Sequence, residues 1–423
     1  MLLAVMHAAA VRLDVYRPIK TVDRYEFRCD VSGVPLTLRT AARRARALAR
    51  GFGSPFRDRL RFGFHATNFR IAHHEVWDSV FPLMFLTRNG GPLFNRGYDS
   101  AVIRVHYPLL EAVRAFYVRR AACMGLDITI EAATYERTWD SARAGAIQTF
   151  GGGKESRLLF GLLREVGHTP RLATAGAGNA PPDLQPVEVS EPLWGALAEW
   201  VLPALMSEAA KVYVGGSLGE AVRQQPWQQY YDLASPEGQQ SFNALMLSLG
   251  IGVALAGPLV VLPPNLVQRT LSARYPALAA HQASVPAGRR SEKNLHVALI
   301  KLHHGLPFDD HCPPALFTTL VRAFVDDKLA RPDDFGFHGF REPFHREMMA
   351  ILARHRAHPL LREVGARVPA EWEATWIDGV HTYMHPQVDP ALLALLLADT
   401  PEYVPAPGGL GAAASARRPD GRW

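Results

Sequence analysis

The sequence predicts an α/β protein built on a parallel sheet flanked by helices, and three observations carry that expectation. An apolar run over residues 144–150 leads into Gly151-Gly152-Gly153-Lys154-Glu155-Ser156, which opens an amphipathic helix. A second short apolar strand, Val212-Tyr213-Val214, ends in another glycine-rich turn, Gly215-Gly216-Ser217. The uncharged run over residues 245–264 is broken by Gly257-Pro258, so it reads as a helix followed by a buried strand and not as a membrane span. Strands that alternate with helical patterns imply a parallel sheet.

Taken in chain order, residues 1–135 mix short strands (24–30, 61–64, 101–105) with helices and are expected to form an N-terminal α+β accessory domain. Residues 136–310 are expected to hold the sheet. Its first helix is marked by Leu158, Leu159, Leu162, Leu163 and Val166 at three- and four-residue steps, with Gly167 to end it. Residues 170–175 read as the next strand, 194–210 as an apolar helix and 212–214 as a buried strand. A helix over 239–256, a strand over 259–262 and a stop at Pro263-Pro264 follow, and Asn265, Gln268 and Arg269 begin another helix. Residues 311–403 form a mainly helical C-terminal region, in which Leu316, Leu320, Phe324, Met348, Met349, Ile351 and Leu352 are read as core. Proline, glycine, alanine and arginine dominate 404–423, a composition expected of a disordered tail.

Composition restricts the function classes. The chain has 423 residues, 48% hydrophobic and 20% charged, which is ordinary for a globular protein of more than one part. The net charge of +6 is concentrated in two places. Arg39, Arg43, Arg44, Arg46 and Arg50 share one expected helix, while Arg417, Arg418 and Arg422 lie in the tail. Such a helix is first a solvated face, and RNA or an anionic sugar nucleotide is the functional alternative. Residues 1–11 lack the basic start of an export signal, and Cys29, Cys123 and Cys312 form no Cys-X-X-Cys pair. A reducing, cytoplasmic setting is expected.

The first glycine turn carries the strongest chemical signal. Successive glycines let backbone N–H groups approach an anion, and the following helix adds the positive end of its dipole. Lys154 adds a point charge. The segment is not a Walker A loop, because Glu155 separates the lysine from Ser156 and Gln148 stands where the earlier glycine is required. It is not a dinucleotide fingerprint, because Ser156 replaces the last glycine.

The segment resembles the Ser-Gly-Gly-X-Asp-Ser loop of the N-type ATP pyrophosphatases, the PP-loop family of the adenine nucleotide alpha hydrolase-like (HUP) superfamily. Gly152, Gly153 and Ser156 agree with that motif. Gly151 stands in place of its first serine, and Glu155 in place of its aspartate. The resemblance implies a HUP-like ATPase domain that binds ATP and Mg2+ and adenylates a substrate, releasing pyrophosphate. By this resemblance Gly151, Gly152, Gly153, Lys154 and Ser156 grip phosphate, Glu155 holds the metal, and Lys154, Glu155 and Ser156 are the catalytic set. Arg157, Thr174 at the end of the next strand, and Gly215, Gly216 and Ser217 are expected to face the nucleotide. Arg269 and Arg289 are further candidates for a phosphate clamp.

The expected substrate is a small, anionic molecule activated at a carboxylate or carbonyl oxygen for epimerisation or amide formation. A Gly-Gly-Gly-Lys loop near residue 150 and the Cys312-Pro313 step are similar to the branch that epimerises UDP-N-acetylmuramoyl-L-alanyl-L-glutamate. Two alternatives stay open: a tRNA-modifying or sulfur-transferring enzyme with Cys312 as the sulfur carrier, and a catalytically silent nucleotide-binding protein. His303, His304, His311 and Cys312 lie within ten residues. Their spacing matches no zinc module, and hydrogen-bonded imidazoles are the simpler reading.

Overall fold

The computed structural model describes residues 11–20, 24–32, 59–66, 73–87, 100–123, 127–174, 187–190, 209–218, 236–282, 291–309, 312–331, 341–381 and 388–403. The expected arginine helix near residue 40, residues 194–208 of the expected helix over 194–210, Arg289, His311 and the tail from 404 lie outside these residues.

The described residues form an 11-stranded sheet. Its N-terminal part contains β1 (Val11–Val15), β2 (Ile19–Lys20), β3 (Arg24–Ser32), β4 (Arg59–Ala66) and β5 (Ser100–Val105). A two-residue strand, β6 (Leu109–Leu110), stands apart, and β7 (Asp127–Glu131) forms the far edge of the large sheet. Strand β8 (Thr134–Tyr135) pairs with β6. Buried residues alternate with half-buried ones along β5 and with exposed ones along β7, as expected of strands with one covered face. Helices α1 (His74–Thr87) and α2 (Glu111–Cys123) cover that face, packing Trp77, Phe81 and Phe116 against Leu13, Ile103 and Ile130.

The second part supplies five parallel strands, β9 (Ala146–Thr149), β10 (Arg171–Thr174), β11 (Val187–Ser190), β12 (Lys211–Tyr213) and β13 (Ala254–Ala256). They lie side by side as β13-β12-β9-β10-β11, with Tyr213 opposite Gln148 and Ala173 opposite Thr149. Counted in the order in which the chain makes them, that is 3-2-1-4-5, the doubly wound order. Strands from both sides of the expected boundary near residue 135 share one sheet, because β11 pairs antiparallel with β4, Val189 opposite Ala66.

Helices cover both faces of the parallel strands. Helix α3 (Lys154–Glu165) buries Leu158, Leu159, Leu162 and Leu163 against Tyr213 and Leu259. Each such leucine contributes about 1.5–3 kcal/mol. Helix α4 (Pro236–Ser248) covers the opposite face with Phe242 and Met246, and Asn243 bonds both the N–H and the carbonyl of Leu255 at the edge strand β13 (2.7 and 3.0 Å). Those bonds occupy backbone groups that an edge strand otherwise leaves open.

One expected strand is corrected. Residues 258–261 form a 3-10 helix, and the strand lies earlier, at β13. Pro258 has no N–H to give to a ladder, so pairing must end before it. The preceding helix is correspondingly shorter than expected, since α4 stops at Ser248 and the chain turns back through the Gly250 N–H to Leu247 carbonyl bond.

Beyond β13, helices α5 (Pro264–Arg274) and α6 (Pro276–Ala280) pack beside α3. Helices α7 (Ser291–His303), α8 (Pro314–Ala330), α9 (Arg341–Arg354) and α10 (Arg362–Gly365) gather around Leu299, Phe317, Val321 and Ile351. Helix α11 (Pro390–Ala398), capped by Asp389 onto the Ala391 N–H, returns Leu392 and Leu396 to the core beside α3. Among the described residues no helix is long and apolar enough to cross a membrane.

Candidate functional site

In a doubly wound sheet the strand order reverses beside the first strand, and the crevice beyond the carboxyl ends there is where ligands bind. Here the reversal falls between β9 and β12. Both glycine turns predicted from sequence leave the sheet at this point, one after each strand.

The first turn is built by the end of β9. Phe150 donates its N–H to Ala173 (2.8 Å), which keeps the chain in the sheet up to the loop. Gly152 then adopts φ +73°, a left-handed conformation that costs a residue with a Cβ about 1–2 kcal/mol. Gly153 is extended and starts α3 without a side-chain cap. Uncapped first-turn amides are the usual donors to an anion.

The side chains of this turn are held closely. Lys154 is only 8% exposed, and its ammonium pairs with the carboxylate of the next residue, Glu155. The Ser156 hydroxyl donates to the Gly153 carbonyl (3.1 Å). Arg157, 4% exposed, donates through Nε to the Gly152 carbonyl (2.9 Å) and stacks its guanidinium 5.4 Å from the centre of the Phe150 ring. Burial lowers its pKa from the ordinary arginine value. Arg157 thus braces the loop from behind.

The second turn touches the first. A Cβ on Gly215 would lie 3.2 Å from the Ser156 nitrogen and 3.3 Å from the Glu155 carbonyl carbon, so a side chain there would push the two backbones apart by a few tenths of an ångström. Gly216 is buried beside it. Ser217 is fully buried, and its hydroxyl has no hydrogen-bond partner among the described residues. The turn is tied down by the bond from the Leu218 N–H to the Leu262 carbonyl (2.9 Å).

Sequence reasoning gave Gln148 no role beyond its mismatch with the Walker pattern. It is fully buried beneath the loop, where its amide donates to the Ser156 carbonyl (2.6 Å) and its own oxygen has no partner among the described residues. Unpartnered buried polar atoms are uncommon, and sites that take a ligand are one of their causes.

The other candidates take separate positions, Thr174 lying one residue past the Ala173 carbonyl that holds the start of the loop. Thr174 ends β10, its backbone in register with Glu188. Arg269 donates to the Asp399 carbonyl (3.0 Å) near α11. Cys312 is fully buried in the helical core, where desolvation raises its pKa. His303 Nδ1 lies 2.8 Å from His355 Nε2, and His304 packs edge-on against His303 with ring centroids 4.6 Å apart. Burial is the main cause that pushes both His303 and His304 down to about 4. Among the described residues no cluster of three or more His, Cys, Asp or Glu side chains is arranged to hold a metal ion.

Glu155 is the residue at the loop that could ligate a magnesium ion, the cation common at nucleotide sites. That ion is held by one or two carboxylates together with substrate phosphates, not by a complete protein cage. Glu155 is the carboxylate on the loop.

The fold and the site define a class: a doubly wound α/β protein with two glycine turns in contact at its switch point. Comparison with protein-family models, curated proteins and solved structures finds no match for this chain.

Proposed function

We propose that the chain binds ATP with Mg2+ at this switch point and adenylates a small, anionic substrate at a carboxylate or carbonyl oxygen, releasing pyrophosphate. The observation that carries the reading is the contact between the two glycine turns, with Gly215 against the Ser156 amide. It brings the uncapped start of α3, Lys154 and Ser156 to one crevice. The HUP-like PP-loop reading draws support from the strand order and from Gly152, Gly153 and Ser156.

In this reading the amides of the loop and the Ser156 side chain hold the leaving pyrophosphate, and Lys154 offsets its charge. Glu155 holds the metal, whose chemistry is to neutralise charge on the phosphate oxygens. Carboxylate activation needs no thiol, which agrees with the burial of Cys312 in the helical core. The subsequent step is epimerisation or amide formation on the adenylated group.

The test is the fate of ATP labelled at the α-phosphate, incubated with Mg2+ and a panel of carboxylate substrates. Labelled AMP and equimolar pyrophosphate are expected with the productive substrate. ADP as the sole nucleotide product would move the protein to a γ-phosphate-transfer class. Nucleotide binding without turnover on any carboxylate would favour a silent nucleotide-binding protein.

A further inference from the structure

We infer that Glu155 makes this loop selective for metal-complexed pyrophosphate over the metal-free anion, by holding Lys154 until a divalent cation engages its carboxylate. The inference rests on the phosphate-site reading above and deepens it.

The pair is unusual in its geometry. Side chains one residue apart on a helix do not normally face each other. Here they do, because both stand on the first turn of α3, where the backbone opens into the glycine loop. The Lys154 side chain is 10% exposed and that of Glu155 is 20% exposed, so neither charge is freely hydrated. The second carboxylate oxygen, Oε2, lies 3.6 Å from the position a Cβ on Gly153 would occupy, so the negative group sits against the loop itself. Beside the loop, the Gln148 carbonyl oxygen and the Ser217 hydroxyl are buried with no hydrogen-bond partner among the described residues.

A metal-free anion entering this loop therefore meets a lysine that is already neutralised and a carboxylate that repels it. To take Lys154 it must leave Glu155 poorly hydrated and uncompensated beside new negative charge, and breaking a desolvated pair in that way is costly. A metal-bound polyphosphate avoids the cost. The cation compensates Glu155 while the phosphate compensates Lys154, so both charges exchange partners together. Glu155 acts as a specificity-determining residue, and its extra methylene relative to aspartate gives the arm the reach to close back on Lys154.

The experiment is isothermal calorimetry with inorganic pyrophosphate as the probe, in excess Mg2+ and in EDTA, on the full chain and on Glu155→Gln. Wild type is expected to bind at least about tenfold more tightly with Mg2+ than without. Glu155→Gln is expected to bind metal-free pyrophosphate about tenfold more tightly than wild type does, and to lose most of its dependence on Mg2+. If wild type binds Mg2+–pyrophosphate but Glu155→Gln gains nothing for the free anion, the selectivity inference is wrong and the phosphate site stands. If wild type binds both forms equally, the inference is also overturned, and this result needs no variant to fold. Failure of wild type to bind pyrophosphate in either condition overturns both readings.

Discussion

At the scale of single residues the candidate site depends on how closely two backbones approach. Gly215 faces the amide of Ser156 at a distance that leaves no room for a methyl group without movement of the loop. Gly215→Ala is therefore expected to displace the loop by a few tenths of an ångström and to cost about 1–3 kcal/mol. Its thermal midpoint should fall modestly and its affinity for Mg2+–ATP should fall with it; unchanged affinity in the folded variant would separate the second turn from the site. Much of this was legible in the sequence, because strings of glycine after apolar strands mark close backbone approach. The partners of the charged side chains were not legible. Nothing in the order Lys154-Glu155 says that the two pair with each other, and nothing about Gln148 says that it supports Ser156 from below. Those contacts depend on where the strand end lies relative to the first helical turn, which is a three-dimensional fact.

At the scale of elements, periodicity located α3, β10 and β12 to within a residue or two, because their apolar faces are buried as the pattern demands. It failed over residues 249–262. The run is apolar throughout, and an unbroken apolar run carries no period by which to tell strand from 3-10 helix. The C-terminal helices give a second element-scale prediction. His303 and His304 are pushed down to about 4, chiefly by burial between α7 and its neighbours, with His355 and Arg354 adding positive charge near His303 and Arg269 near His304. The unfolded chain holds these imidazoles near an ordinary value of about 6.5 and so binds more protons than the folded one between the two values. Stability from these groups is present above about 6.5 and is lost as pH falls toward 4. Thermal melts across that window should show a falling midpoint, with a shallower slope in His303→Asn/His304→Asn. Equal slopes in the two proteins would assign the acid sensitivity elsewhere.

At the scale of the whole molecule, one sheet joins regions that the sequence presents as separate, because β11 pairs with β4 across the expected boundary. Long-range pairing of this kind leaves no local mark in a sequence. The parallel order around β9, by contrast, gives the two glycine turns a shared crevice and converts two local motifs into one candidate site. Binding of the phosphates of ATP in this crevice is the core of the proposed function. It is tested most directly by calorimetric titration of Mg2+–ATP into the wild-type protein and into Lys154→Ala, with circular dichroism to establish that the variant is folded. The account predicts saturable binding by wild type and a loss of about 1–3 kcal/mol in the variant, the scale of a charge-assisted contact left unmade. Equal affinity in the two folded proteins would contradict it.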